Sequence, residues 1–232
     1  MKHKIKIVGF DADDTLWINE PFYRDTEKQF CDILVPYSPE SETNKELFKT
    51  EMQNLQMYGY GAKAFILSMI ETALRISESK ITAYEINQIV EIGKAQLNLP
   101  VVLLDGVETV LQKLLPSYKL ILATKGDLLD QERKLQKSGL ANYFHHIEIM
   151  SDKHENNYRK LISRLDIEPQ DFVMIGNSIK SDILPVINIG AKAIYVPYHT
   201  TWQHEKDHDI ADNSKFVTVD NLTGVLDILN HV

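Results

Sequence analysis

Short apolar runs punctuate the chain at residues 5–10, 119–124, 147–150, 172–176 and 193–196. Runs of this length, rich in Val, Ile and Phe, read as strands buried on both faces of a sheet. Around the last four lie patterns of helical period at residues 107–115, 128–137, 158–165 and 179–189, and Gly139 after Lys137 and Ser138 reads as a helix stop. Strand, helix, strand in that order predicts parallel βαβ units. Residues 18–98 differ. Phe22, Phe30, Ile33 and Leu34 suggest a helix ended before Pro36, and Leu47, Phe48, Met52 and Leu55 a second. Phe65, Ile66, Met69, Ile70, Ala73 and Leu74 mark a third; Ile86, Ile89, Val90, Gly93 and Leu97 mark a fourth, opened by a capping box of Thr82 and Glu85. The predicted fold class is α/β: a Rossmann-like parallel-sheet core from residues 1–17 and 99–232, interrupted by a four-helix domain at 18–98.

The first strand ends in Asp11-Ala12-Asp13-Asp14-Thr15. In an open parallel sheet, ligands bind in the crevice outside the carboxyl ends of the strands, so Asp11 is expected to face a site. Three acids within four residues repel one another, and a bound cation is the usual relief. If Asp11 and Asp13 share one side of the turn, one can act as nucleophile and the other handle the proton, a division that suits covalent phosphoryl transfer. Asp14 or Thr15 is read as a cap for the next helix.

Composition narrows the partners. At 232 residues and 44% hydrophobic the chain can bury a sizeable core, and its net charge of -8 argues against nucleic acid or an anionic membrane. The one cysteine, Cys31, lies among Phe30, Ile33 and Leu34 and reads as a buried small hydrophobe. No stretch approaches a membrane span or a signal-peptide core, so a cytoplasmic protein is expected.

Asp-Ala-Asp-Asp-Thr-Leu after an N-terminal strand resembles the first motif, DxDxT, of the haloacid dehalogenase superfamily, whose commonest members are Mg-dependent phosphatases. Three further stretches extend the resemblance. Thr124 closes a strand beside the N–H groups of Lys125 and Gly126, so its hydroxyl can bind a phosphoryl oxygen, like the second motif. Lys125 stands where relatives carry Asn, adding a positive charge near substrate. Lys153 occupies the place of the third-motif lysine, with His154 instead of the usual proline after it and Lys160 as the fallback. Gly176-Asn177-Ser178-Ile179-Lys180-Ser181-Asp182 resembles the fourth motif, GDSxxxD, with Asn177 where many relatives carry Asp; Ser178 and Ser181 read as helix caps. The resemblance implies Mg²⁺ held by Asp11, the Asp13 backbone carbonyl, Asn177 and Asp182. It also implies that residues 18–98 form a helical cap that sets specificity.

The expected function is therefore a phosphatase acting on a small phosphorylated metabolite as a monomer or homodimer. Asp11 attacks phosphorus, Asp13 serves as general acid and base, and Thr124, Lys125, Gly126 and Lys153 bind the phosphoryl group. Haloacid dehalogenation is the first alternative, opposed by Asp13 and favoured by Asn177; a phosphomutase is another. A phosphate-binding module with an impaired metal site is the non-enzymatic alternative. His199, His204 and His208 do not have the spacing of a zinc pair and read as a polar loop, in which Trp202 contacts substrate or cap.

Overall fold

The computed structural model describes residues 5–206 and 216–230. Its centre is a six-stranded, wholly parallel sheet in the order β3-β2-β1-β4-β5-β6. The strands are β1 (Ile7–Phe10), β2 (Lys119–Lys125), β3 (His146–Met150), β4 (Phe172–Gly176), β5 (Lys192–Tyr195) and the two-residue β6 (Val217–Thr218). The first strand in sequence is thus central in space: Phe10 is level with Leu122 of β2 and Ile175 of β4. Alternation along β1 divides the core. Val8 and Phe10 join Leu120, Leu122 and Val173 on one face with α5 (Val107–Leu114) and α10 (Val225–Asn230). Ile7 joins Ile121, Ala123 and Met174 on the other with α7 (Glu155–Arg164) and α8 (Leu184–Asn188).

The described residues divide into two compact units, one from residues 5–20, 101–125, 131–206 and 216–230, the other from 21–100 and 126–130. The second unit holds α1 (Glu20–Leu34) beyond its first residue, α2 (Glu40–Tyr58), α3 (Ala62–Ile76) and α4 (Ala83–Asn98). Phe30, Leu34, Leu47, Phe65, Met69, Ala73 and Ile89 form its core. The box at the start of α4 is present: Thr82 Oγ1 accepts from Glu85 N at 3.2 Å while Glu85 Oε2 accepts from Thr82 N at 2.7 Å. Cys31 is buried, and burial pushes its thiol up to about 12, which fits a packing role.

One predicted helix takes another form. Residues 179–189 are a π-turn over Ile179–Ile183 followed by the short α8. Pro185 has no N–H to give the carbonyl four residues back, so regular α pairing fails there and the turn widens. Among the described residues no helix is long and apolar enough to cross a membrane.

Candidate active site

Because β1 lies between β2 and β4, the three strand ends that follow place Asp11, Thr124 and Asn177 on neighbouring positions of one sheet edge. Asp11 stays tied to the sheet, its N–H donating to the Ile175 carbonyl at 2.9 Å. Lys153, beyond β3, is only 2% exposed. Its ammonium donates to Asp11 Oδ1 and, at 2.6 Å, to Asp182 Oδ1. Asp182 Oδ2 accepts the Ser178 N–H at 3.0 Å. Gly176 makes this possible, since any Cβ there would collide with the Asp182 carboxylate. Lys160, by contrast, is exposed on α7.

Two carboxylates facing one ammonium leave an excess negative charge in a buried place. Burial pushes Asp11 up, the Lys153 charge pulls it back, Asp182 repels it, and its pKa settles at about 7. Asp182 is raised for the same leading reason, burial, against the pull of Lys153. Lys153 is disfavoured by burial, but Asp11 and Asp182 together hold its pKa well above the ordinary value, so it stays charged.

Asp13 sits one turn away with three donors. Trp17 Nε1 and Lys134 Nζ reach Oδ1 at 2.7 and 2.6 Å, and Gln131 Nε2 reaches Oδ2 at 2.9 Å. Gln131 also donates to Thr124 Oγ1 at 3.0 Å and to the Lys125 carbonyl at 2.8 Å. It therefore ties the second strand end to the acidic turn. Gln131 and Lys134 project from α6 (Leu128–Ser138) three residues apart, the spacing that puts two side chains on one helix face. Sequence reasoning missed both, having read α6 only for its apolar period. Asp14 turns away from this group: its carboxylate accepts the N–H groups of Asn19 and Glu20 at 2.8–3.1 Å, at the start of α1.

Lys125 is not spread toward Asp11. Its ammonium donates to Ser181 Oγ at 2.8 Å and Glu205 Oε1 at 2.5 Å. Glu205, on the short α9 (Gln203–Lys206), also accepts from Ser178 Oγ and Ser181 Oγ. Ser178 caps the π-turn, accepting the Ser181 N–H at 3.0 Å, whereas the Ser181 hydroxyl serves Glu205. Gly126, with φ of 139°, opens the segment that clusters with the helical unit.

The donor set for a divalent ion can be tested on Asn177. One end of its amide lies 3.1 Å from Thr15 Oγ1 and 3.2 Å from both Asp11 Oδ2 and the Asp13 carbonyl oxygen. Ligand oxygens at right angles around Mg²⁺ at 2.0–2.1 Å stand roughly 3 Å apart, so an amide oxygen here has the spacing of a hard octahedral site. With nitrogen turned inward the same amide instead donates to those oxygens. The residues fit Mg²⁺, with one carboxylate among the three. No trio of His, Cys, Asp or Glu among the described residues could hold a metal, so such a site relies on the backbone carbonyl and the amide. His199 lies against Tyr198 with ring centres 4.3 Å apart and planes inclined at 45°, and His204 accepts from Lys180 Nζ at 2.6 Å; His208 lies outside the described residues. His204 and Trp202, whose ring centres are 4.9 Å apart, belong to the turn into α9 rather than to an open loop.

The central strand thus ends at an aspartate beside a buried lysine and an amide-bearing loop, and the matching family model makes the chain a hydrolase. The chain belongs to the haloacid dehalogenase-like hydrolase family, whose model matches residues 5–190. A haloacid dehalogenase-like family hydrolase from Xanthomonas campestris is 40% identical, with a TM-score of 0.87 over 98% of this chain and 92% of that one. The glyceraldehyde 3-phosphate phosphatase of Methanothermobacter thermautotrophicus is 24% identical over 97% of this chain and 100% of its own. The N-acylneuraminate-9-phosphatase of Mus musculus is 30% identical, but the match spans 40% of this chain and 39% of that protein.

Proposed function

We propose that the protein is a phosphatase that hydrolyses a small phosphorylated metabolite through a phosphoryl group carried on Asp11. The observation that carries this reading is the meeting of Asp11, Lys153 and Asp182 from three distant segments, with Thr124 and Asn177 on the adjoining strand ends. Asp11 attacks phosphorus in line and the ester oxygen leaves. Asp13, held in one orientation by Trp17, Lys134 and Gln131, gives that oxygen a proton and later takes one from the water that cleaves the acyl phosphate. Lys153 neutralises charge gathering on the phosphoryl oxygens, and Thr124 offers its hydroxyl to one of them. Gly126 completes the proposed phosphoryl-binding set through its N–H; Lys125, expected from the sequence to join it, has its ammonium engaged by Glu205 and Ser181 and contributes at most from beside the site. Asp11, the Asp13 carbonyl and Asn177 are the proposed donors to Mg²⁺; Asp182, expected from the sequence as a further ligand, has its oxygens on Lys153 and the Ser178 N–H and adds negative field beside them. When bound, the ion supplies charge neutralisation at the transferring group.

The relatives named above are a glyceraldehyde 3-phosphate phosphatase and an N-acylneuraminate-9-phosphatase, and the substrate is likewise proposed to be a small phosphorylated metabolite. Residues 18–98 are proposed to select it. A cytoplasmic location agrees with the single buried cysteine. Dehalogenation keeps one supporting observation, the uncharged Asn177. A panel of phosphorylated metabolites and 2-haloacids, assayed with and without Mg²⁺, decides between them. The account expects Mg-dependent phosphate release that Asp11→Asn abolishes; metal-independent halide release would replace it with the dehalogenase reading, and activity untouched by Asp11→Asn would end both.

A further inference from the structure

Glu205 is an acid that the proposed reaction leaves unused, and its side chain is only 9% exposed. It lies on the short α9, yet its carboxylate grips the segment that carries Asn177 and Asp182. Oε2 accepts from Ser178 Oγ, both oxygens accept from Ser181 Oγ at 3.0 and 3.1 Å, and Oε1 accepts from Lys125 Nζ at 2.5 Å. Ser178 directly follows Asn177, and Ser181 directly precedes Asp182. A second attachment joins α9 to the same turn: Lys180 Nζ donates to His204 Nε2 at 2.6 Å and to the His204 carbonyl at 3.3 Å.

The segment needs such support. A five-residue π-turn followed by a five-residue helix is too short to keep its orientation through backbone pairing alone. Its internal bonds fix its shape: Ser178 Oγ accepts the Ser181 N–H at 3.0 Å, and the Asp182 N–H donates to the Ser178 carbonyl at 2.8 Å. Its place relative to the other strand ends must come from side chains outside it. Lys153 holds the Asp182 carboxylate, Tyr158 donates to the Ser181 carbonyl at 3.0 Å, and Glu205 takes both serine hydroxyls. Of these, Glu205 is the one that also binds Lys125, the last residue of β2 and the neighbour of Thr124. Because β1 runs between β2 and β4, one carboxylate links the ends of both strands that flank the one leading to Asp11. A carboxylate suits the task, since two oxygens with four acceptor sites can serve two hydroxyls and an ammonium at once, through charge-assisted bonds.

We propose that Glu205 is a positioning residue: it clamps the segment of residues 177–182 to the end of β2 and so keeps the Asn177 amide where a divalent ion can use it. The consequence for the ion rests on the phosphatase reading, and two measurements that do not depend on turnover separate the clamp from that reading. The first is hydrogen exchange followed by NMR in wild type and Glu205→Ala. Protection of the Ser178 and Asp182 amides is expected to fall at least about tenfold further than that of the amides in β1 and β4. An equal fall in all of them would make Glu205 merely structural and overturn the proposal, as would no fall at these two. The second is titration with Mn²⁺ alone, an ion that accepts the same octahedral oxygen ligands, followed by the electron paramagnetic resonance of the free ion. Glu205→Ala is expected to weaken its binding at least about tenfold. Ser181→Ala, which keeps the Lys125–Glu205 pair and removes one tie to the turn, should give a smaller loss of the same kind. Unchanged Mn²⁺ affinity in a folded Glu205→Ala overturns the proposal and leaves the phosphatase reading intact. Failure of wild type to bind Mn²⁺ counts against the phosphatase reading, and the exchange data then decide the clamp by themselves. Should Glu205→Ala fail to fold, Glu205→Gln keeps the size and removes the charge, and the same exchange and titration apply to it.

Discussion

Lys153 is the residue on which the site's electrostatics turn. A buried ammonium that serves two carboxylates cannot be removed quietly, because Asp11 and Asp182 would be left facing each other without a cation. Breaking a buried pair from one side costs about 3–5 kcal/mol. Lys153→Met is therefore expected to abolish turnover and lower unfolding free energy by about that amount in urea at neutral pH, with part of the loss recovered in acid as the carboxyls protonate. Asp14 makes a pH prediction of its own. Burial, opposed by the N–H groups of Asn19 and Glu20, raises it from 3.8 to about 7. Between those values the folded state holds a proton that the unfolded state has released, so stability attributable to this group is complete below pH 4 and declines as pH rises through 7. Melting temperature measured in chelator should fall from pH 5 to pH 8. Asp14→Asn should flatten part of that fall, and Asn tolerates the φ of 60° found at this position. A curve of unchanged slope would contradict the assignment.

At the scale of elements, α6 and α4 carry distinct predictions. Gln131 joins Thr124 to Asp13, so Gln131→Leu should lower kcat roughly 10–100-fold through misplacement of two groups proposed to touch substrate, with folding stability nearly kept. A stability loss that matched the activity loss would make Gln131 merely structural. Gly93 lets α4 approach α3, where a Cβ would collide with Ile66. Helix propensity favours Ala by about 1 kcal/mol, while overpacking costs about 1–3 kcal/mol. That Cβ would fall well inside van der Waals contact with Ile66 Cγ1, which puts the cost in the upper part of that range, about 2–3 kcal/mol, so Gly93→Ala should destabilise by about 1–2 kcal/mol in denaturant titration, with Ile66→Ala in the same chain relieving part of the cost.

These elements also show where reading the sequence succeeds. Asp11 and Thr124 were legible because each closes an apolar run, and parallel strands with right-handed crossovers bring such ends to one edge. Lys153 was legible by its place after β3, although only the fold shows it buried against Asp11 while Lys160 stays exposed. Gln131 and Lys134 were not, since polar residues on an amphipathic helix look alike whether they face water or a site. Glu205 was further out of reach: α9 has four residues, too few for periodicity, and its partners lie 80 and 24–27 positions away. The π-turn at residues 179–183 escaped for another reason, because its composition is that of an ordinary helix up to Pro185.

For the whole molecule, the account is one of charge brought together by topology. A chain with net charge -8 places Asp11, Asp13, Asp182 and Glu205 around one end of its sheet, and offsets them with Lys153, Lys134 and Lys125, each in a named pair. No short motif does this alone; the central position of β1 does. The proposed reaction requires Asp11 to carry the phosphoryl group. The most direct measurement is rapid acid quench of the Mg-loaded enzyme during turnover of a phosphate ester, followed by proteolysis and mass spectrometry of the peptide that contains residue 11. The account predicts a phosphoryl adduct on Asp11 that vanishes, along with turnover, in Asp11→Asn. Undiminished turnover in that variant, or an adduct on a different residue, would contradict it.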